Sequence, residues 1–136
     1  MAGEILYLDS SALVKLVVDE PESAALQDFI SNHTYLLSSA LSVVEVTRAV
    51  FRSVDEPAIR LRLAGVLGEV SLALVDANTL LTASRIHPMT LRSLDSIHLA
   101  TAFLLGKDLA GFVTYDRRLY TAANLVGCVA LKPGAE

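Results

Sequence analysis

The 136-residue sequence predicts an α/β fold built on a parallel sheet, and three observations carry that prediction. Short apolar runs of strand length alternate with helical patterns from one end to the other, the order that βαβ units produce. No repeat, low-complexity tract or long linker interrupts them, so the chain reads as a single domain over residues 1–136. Its composition, 53% apolar and 19% charged, is that of a chain that buries a core rather than remaining unfolded.

The first strand is expected at EILYL, residues 4–8, stopped by Asp9 and followed by a helix over SALVKLVVDE, 11–20. A second helix opens at EPESAALQDFI, 20–30, where Pro21 suits a first turn that needs no backbone N–H. TYLLS, 34–38, reads as the second strand. Two longer helices follow at 39–53 and 56–70, the latter with Pro57 just inside its start. The third strand is SLALV, 71–75. After it come a helix at 77–86, a loop around His87 and Pro88, and SLDSIHLATAFLLG at 93–106. This last segment is apolar on all sides and therefore buried, with Gly106 placed to end it. A strand at GFVTY, 111–115, a helix at 117–127 and a strand at CVALK, 128–132, complete the pattern. Right-handed crossovers between parallel strands bring every strand's C-terminal end to one edge, where ligands bind in open sheets. Asp9 falls on that edge.

The apolar run LATAFLLG after His98 is far shorter than the roughly 18–20 residues a membrane span requires. No Lys or Arg precedes the first apolar run, unlike a secretory signal, and the lone Cys128 has no internal disulfide partner. A cytoplasmic protein with no membrane attachment is expected. The net charge of −4 argues against a general nucleic-acid binder. Without Asp9, Glu45, Asp95 and Asp116, however, acids and bases balance at eleven each, so the acidity is local to a site if those four form one. Arg48, Arg52, Arg92, Arg117 and Arg118 lie close to three of them in sequence and suit phosphate binding.

Each acid has an ordinary role to weigh. Asp9 can cap the helix that follows, although Ser10 or Ser11 can do so equally well and free it for other work. Asp116, between FVTY and Arg117–Arg118, can cap the last helix, and Thr114 stands at the same strand end. Asp95 gains from the dipole of its helix near the first turn. Glu45 interrupts SVVEVTRAV and shares a helical face with Leu41, Arg48 and Arg52, so its ordinary role is a surface pair with Arg48. His98 faces the same way as Asp95 and reads as a core histidine or one supporting the acids, not as a ligand. His33 and His87 fall in loops and receive no role. Glu45 is the acid that capping does not explain.

Crowded carboxylates stay ionised only beside a cation, and a divalent metal is the usual one. Mg²⁺ or Mn²⁺ suits an all-carboxylate set and binds phosphate oxygens, which points to phosphodiester hydrolysis by in-line attack of water with one or two ions. The sequence has no Gly-rich phosphate loop, no Cys and His cluster and no nucleophile elbow. It also lacks an evident catalytic histidine pair, which argues against attack through the RNA 2′-hydroxyl.

Taken together, ILYLDSSALVKLVVDEPES, SSALSVVEVTRAV, LRSLDSIHLATA and FVTYDRRL resemble the PIN-domain ribonucleases, in particular the VapC-like toxins of type II toxin–antitoxin pairs. The resemblance covers nearly the whole chain, in family order. It implies a three-layer α/β/α fold with a five-stranded parallel sheet, and a Mg²⁺- or Mn²⁺-dependent endoribonuclease. Its acidic pocket would be Asp9, Glu45, Asp95 and Asp116, supported by Ser10 and Thr114, with Arg92, Arg117 and Arg118 as candidate RNA phosphate contacts. It further implies a homodimer, and a small antitoxin protein that covers the pocket. The competing readings are a non-catalytic binding module in which the acids are only caps, and a phosphotransfer domain with Asp9 as nucleophile. The second lacks an acid two residues after Asp9, where Ser11 stands.

Overall fold

The computed structural model describes residues 2–136; Met1 lies outside the described residues. The chain runs β1 (Ile5–Leu8), α1 (Ser10–Val17), α2 (Ser23–Ile30), β2 (Tyr35–Ser39), α3 (Ser42–Ser53), α4 (Pro57–Glu69) and β3 (Ser71–Ala73). It continues with α5 (Ala77–Arg85), α6 (Ser93–Phe103), β4 (Leu109–Val113), α7 (Arg117–Leu125) and β5 (Ala130–Leu131). All pairings are parallel, in the order β3-β2-β1-β4-β5. Helices cover both faces, so the fold is a three-layer α/β/α sandwich. Among the described residues no helix is long and apolar enough to cross a membrane.

Strand β1 sits in the middle and shows why the layers form. Leu6 and Leu8 enter a core with residues of α1, α2, α3 and α4, while Tyr7 points to the opposite core with residues of α6 and α7. All three side chains are fully buried. Burying such a side chain is worth about 1.5–3 kcal/mol, and a one-residue slip would send each to the wrong face, so the period-two pattern pins the register. On the second face the Tyr7 ring stacks on Phe112 of β4, centroids 5.2 Å apart and planes 3° from parallel.

The β1–β4 ladder carries an irregularity: Ile5 pairs with Leu109 but Leu6 with Gly111, which leaves Ala110 as an extra residue on β4. Gly111 leaves room there for the Leu131 side chain of β5, which an added Cβ would force to shift. The sequence places this strand at 111–115; it begins at Leu109, because Gly111 is a packing glycine within the strand and not its boundary, and Thr114 and Tyr115 lie beyond its end. Strands β3 and β5 are likewise shorter than their apolar runs.

The helix starts correct the sequence reading in three places, the first being α3, which begins at Ser42 because Ser39 still belongs to β2. Pro21 lies in a turn ahead of α2, which begins at Ser23; the Ser23 hydroxyl donates to the Val18 carbonyl and accepts from the Glu20 N–H, closing the turn before the helix. Ser10 is the first helical residue of α1, capped by Asp9. Pro57 does open α4. Helix α6 ends at Phe103, and Gly106, at φ +56°, begins a short 3₁₀ turn into β4. Helix α7 ends in a Schellman motif: Gly127 takes φ +88°, its N–H donates to the Asn124 carbonyl, and the Cys128 N–H donates to Ala123.

Candidate active site

Because the chain steps outward from β1 to β2 and β3 and then returns to β4 on β1's other side, the crevice at the C-terminal ends of β1 and β4 is the sheet's switch point. Asp9 leaves β1 at that crevice, and Thr114 follows β4 beside it. The Asp9 carboxyl is 3% exposed. Its Oδ1 accepts from the Ala12 N–H at 3.0 Å and the Ser11 hydroxyl at 2.6 Å, and its Oδ2 from the Thr114 hydroxyl at 2.6 Å. Burial pushes its pKa up, against the lowering effect of His98 and these donors.

Asp9 is therefore the cap of α1, a role the sequence reading assigned equally well to Ser10 or Ser11. Those serines are inside the helix and turn their hydroxyls to other partners: Ser11 to Asp9, and Ser10 to Glu45 Oε1 at 2.7 Å. Asp116 caps α7 in the same manner, its Oδ1 accepting from the Leu119 N–H at 3.0 Å. Capping engages Oδ1 in both residues. The second oxygens do something else: Oδ2 of Asp116 faces the Arg92 guanidinium at 3.5 Å.

Arg92 also reaches Asp95 Oδ2 at 3.3 Å, so one guanidinium lies between two carboxylates. Asp95 sits in the first turn of α6, half-buried. Burial and the nearby charge of Asp116 raise its pKa, while Arg92 works in the opposite direction. The Thr114 hydroxyl, which donates to Asp9, accepts from the Asp116 N–H at 3.1 Å and ties the first acid to the fourth.

Glu45 projects from the first turn of α3 toward Ser10 of α1 and His98 of α6. Among the described residues it forms no ion pair with Arg48; its Oε1 instead meets His98 Nε2 at 2.6 Å. His98 is 1% exposed, and its Nδ1 lies 2.6 Å from the Tyr7 hydroxyl. In the neutral imidazole, Tyr7 donates to Nδ1 and Nε2–H donates to Glu45; in the imidazolium, Nε2–H still donates to Glu45 and Nδ1–H donates to the Tyr7 hydroxyl. Burial acts to raise Glu45, but His98 and Ser10 outweigh it and hold the carboxyl below its ordinary range. Ser10, Ser42 and Ser38 continue this polar chain beneath the rim, 3.3 and 2.7 Å between successive hydroxyls.

The four acids thus fall into three stations: Asp9 with Thr114, Asp95 with Asp116 across Arg92, and Glu45 on His98. Among the described residues no three His, Cys, Asp or Glu side chains are grouped closely enough to hold one ion together. Arg117 and Arg118 begin α7 beside Asp116, both exposed. Sequence reasoning missed Tyr7 and the exact partner of His98. The available signal was a polar-tipped ring alternating with Leu6 and Leu8, aimed at the helix that bears His98.

A PIN domain family model matches residues 6–125. The chain belongs to the PIN-domain family. Within it, this PIN domain is 43% identical over 130 residues to Ribonuclease VapC46 of Mycobacterium tuberculosis, covering 94% of this chain and 97% of that one. It is 36% identical over 135 residues to Ribonuclease VapC47 of the same species, covering 96% and 98%. The crystal structure of M. tuberculosis VapC20, described as a sarcin-ricin loop cleaving toxin, superposes with a TM-score of 0.73 at 16% identity, over 94% of this chain and 99% of that one. That likeness shows the shared fold of the PIN domain.

Proposed function

We propose that this chain is a metal-dependent endoribonuclease that hydrolyses RNA phosphodiester bonds, and the toxin of a toxin–antitoxin pair. The observation that carries the reading is Asp9, a buried carboxyl whose burial disfavours its charge, set beside an acid pair with a cation already between its members. Capping alone accounts for one oxygen of Asp9 and one of Asp116, and leaves the convergence of Glu45 and Asp95 without a purpose. The names of relatives up to 43% identical support the RNA-cleaving assignment.

The donor set fits a hard divalent ion. Mg²⁺ binds through one or two carboxylates and keeps its remaining places for water and phosphate, so it needs no closed cage of protein ligands. Asp95 and Asp116 provide two carboxylates that already share a cation, and Asp9 and Glu45 stand ready on the same rim. Bound there, Mg²⁺ or Mn²⁺ would supply charge neutralisation and a more acidic water for attack on phosphorus. The chain's own residues do the rest. Thr114 fixes the Asp9 carboxyl from one side and Ser11 from the other. His98 and Ser10 keep Glu45 ionised and aimed at the crevice. Arg92, once displaced from the acid pair, is placed to receive a phosphate, with Arg117 and Arg118 along the same path.

Action in the cytoplasm, a homodimeric state and inhibition by a small antitoxin complete the proposal. Val43, Val44 and Phe51, exposed on α3, support a protein contact there.

The test is cleavage of a mixed RNA pool by purified protein with Mg²⁺, Mn²⁺ or EDTA, beside Asp9→Asn of matched thermal stability. Metal-dependent cleavage that disappears in the variant is expected. Cleavage that persists in EDTA or in the variant overturns the assignment.

A further inference from the structure

Next to the acid rim lies a cleft of about 540 Å³ between the segment joining α5 to α6 and the outer face of α7. Its floor is Leu91 and Ala122, which belong to or pack against the Tyr7–Phe112 core, and is therefore fixed in place. Leu125, an exposed leucine, forms the far wall. Thr90, Thr121, Arg117 and Arg118 ring the opening. Among the described residues neither arginine forms an ion pair, so two uncompensated cations border an apolar cleft in an acidic protein.

The cleft is continuous with the acids through the chain itself. Leu91 precedes Arg92, whose guanidinium touches Asp95 and Asp116, and Asp116 precedes Arg117. The cleft and the Asp95–Asp116 pair are thus borne by adjoining residues at two points of the chain, Leu91–Arg92 and Asp116–Arg117.

We propose that this cleft is a nucleobase subsite, which takes one base splayed out of a single-stranded RNA next to the bond that is cut. This inference rests on the nuclease reading. An unstacked base needs an apolar or guanidinium surface for its face, hydroxyls or amides for its edge, and cations for the phosphate that follows it. The cleft supplies all three: Leu91, Ala122 and Leu125 for the face, Thr90 and Thr121 for the edge, and Arg117 and Arg118 for the phosphate. An apolar protein segment finds the same floor but has no use for two bare guanidiniums, and the charge complementarity favours RNA.

The test uses the ¹⁵N-labelled full chain titrated separately with AMP, CMP, GMP and UMP, together with cut-site mapping on a random RNA pool. Thr121→Trp fills the cleft from an exposed helical position, and Leu125→Glu puts a carboxylate into it. Saturable shifts are expected at the Leu91, Arg118 and Leu125 amides for at least one nucleotide. Each variant should weaken that binding by about 10-fold or more, the scale of one lost base stack, and erase the base preference at one position beside the cut. Shifts that are lost in the variants support the subsite even if RNA is left intact, which would sink the nuclease reading alone. The proposal is overturned if wild-type protein cuts RNA, no nucleotide moves those amides, and folded Thr121→Trp cuts with unchanged rate and preference; the cleft is then a seat for protein.

Discussion

Nε2 of His98 lies 2.6 Å from Oε1 of Glu45, across 53 residues of chain and between two helices that pack on different parts of the sheet. With Tyr7 behind it, this histidine links the core to the rim. His98→Leu leaves the buried Tyr7 hydroxyl short of a partner, which costs about 1–3 kcal/mol, and leaves Glu45 held by Ser10 alone. His98→Gln retains an amide donor toward Glu45 and should recover part of both stability and RNA cleavage. Urea unfolding and single-turnover cleavage of the three proteins check this; equal loss in both variants would deny His98 a role in aiming Glu45.

The metal-free protein should lose stability as pH rises. Asp9 has a folded-state pKa above its ordinary value because it is buried, so the folded chain keeps a proton the unfolded chain has released. Stability then falls as pH climbs from the ordinary aspartate value through the raised one. Asp95 has the same sign: burial, the largest cause, raises it, the Arg92 charge opposes that, and the Asp116 charge adds to it. Glu45 is opposite: its lowered pKa contributes stability above the ordinary glutamate value, which is lost as pH falls through the folded-state value. Unfolding free energies in EDTA from about pH 4 to 8 should show a decline that Asp9→Asn flattens. A variant that declines as steeply as the parent contradicts the assignment to Asp9.

Arg92→Ala should tighten the binding of Mn²⁺. The guanidinium now between Asp95 and Asp116 must give way to a metal ion, and its removal takes away the competitor. Because the Arg92 side chain is 72% exposed, solvent screens both contacts, and the stability lost in EDTA should stay under about 1 kcal/mol. Calorimetric titration with Mn²⁺ measures the first effect and urea unfolding the second. Weaker Mn²⁺ binding in the variant would mean that Arg92 organises the acids and does not compete for them.

Gly111→Ala should destabilise the sheet by about 1–3 kcal/mol, the usual cost of forcing an extra carbon into a packed site. Its Cβ meets Leu131, and a double variant that shortens Leu131 to Ala should recover much of the loss in unfolding measurements. Additive losses would place the strain elsewhere.

The layers were legible because apolar period and length act locally: β1, β2 and the buried α6 announce themselves in composition. The acid-bearing edge followed from topology, since parallel crossovers leave little freedom in where Asp9 and Thr114 must lie. Other features depend on pairing at a distance. That Glu45 rests on His98 and not on Arg48 is decided by how α3 and α6 approach each other, which neither helix's sequence encodes alone. The capping of α1 by Asp9 turned on a one-residue choice among three suitable side chains, a margin finer than local preference resolves. Leu109 and Ala110 were hidden because a glycine that serves packing looks the same in sequence as one that ends a strand.

The Thr114 hydroxyl that holds Asp9 stands 105 residues further along the chain, and β1 finds its neighbour β4 only when residues 109–113 exist. Growing from its N-terminus, the polypeptide therefore carries its first acid through 105 residues of synthesis before the hydroxyl that holds it is made. A fragment halted anywhere before residue 114 has an unfinished sheet and a disconnected Asp9. For an enzyme proposed to cut RNA, this order of assembly delays the hazard: the ribosome has to pass residue 114 before the first acid can be held in its place.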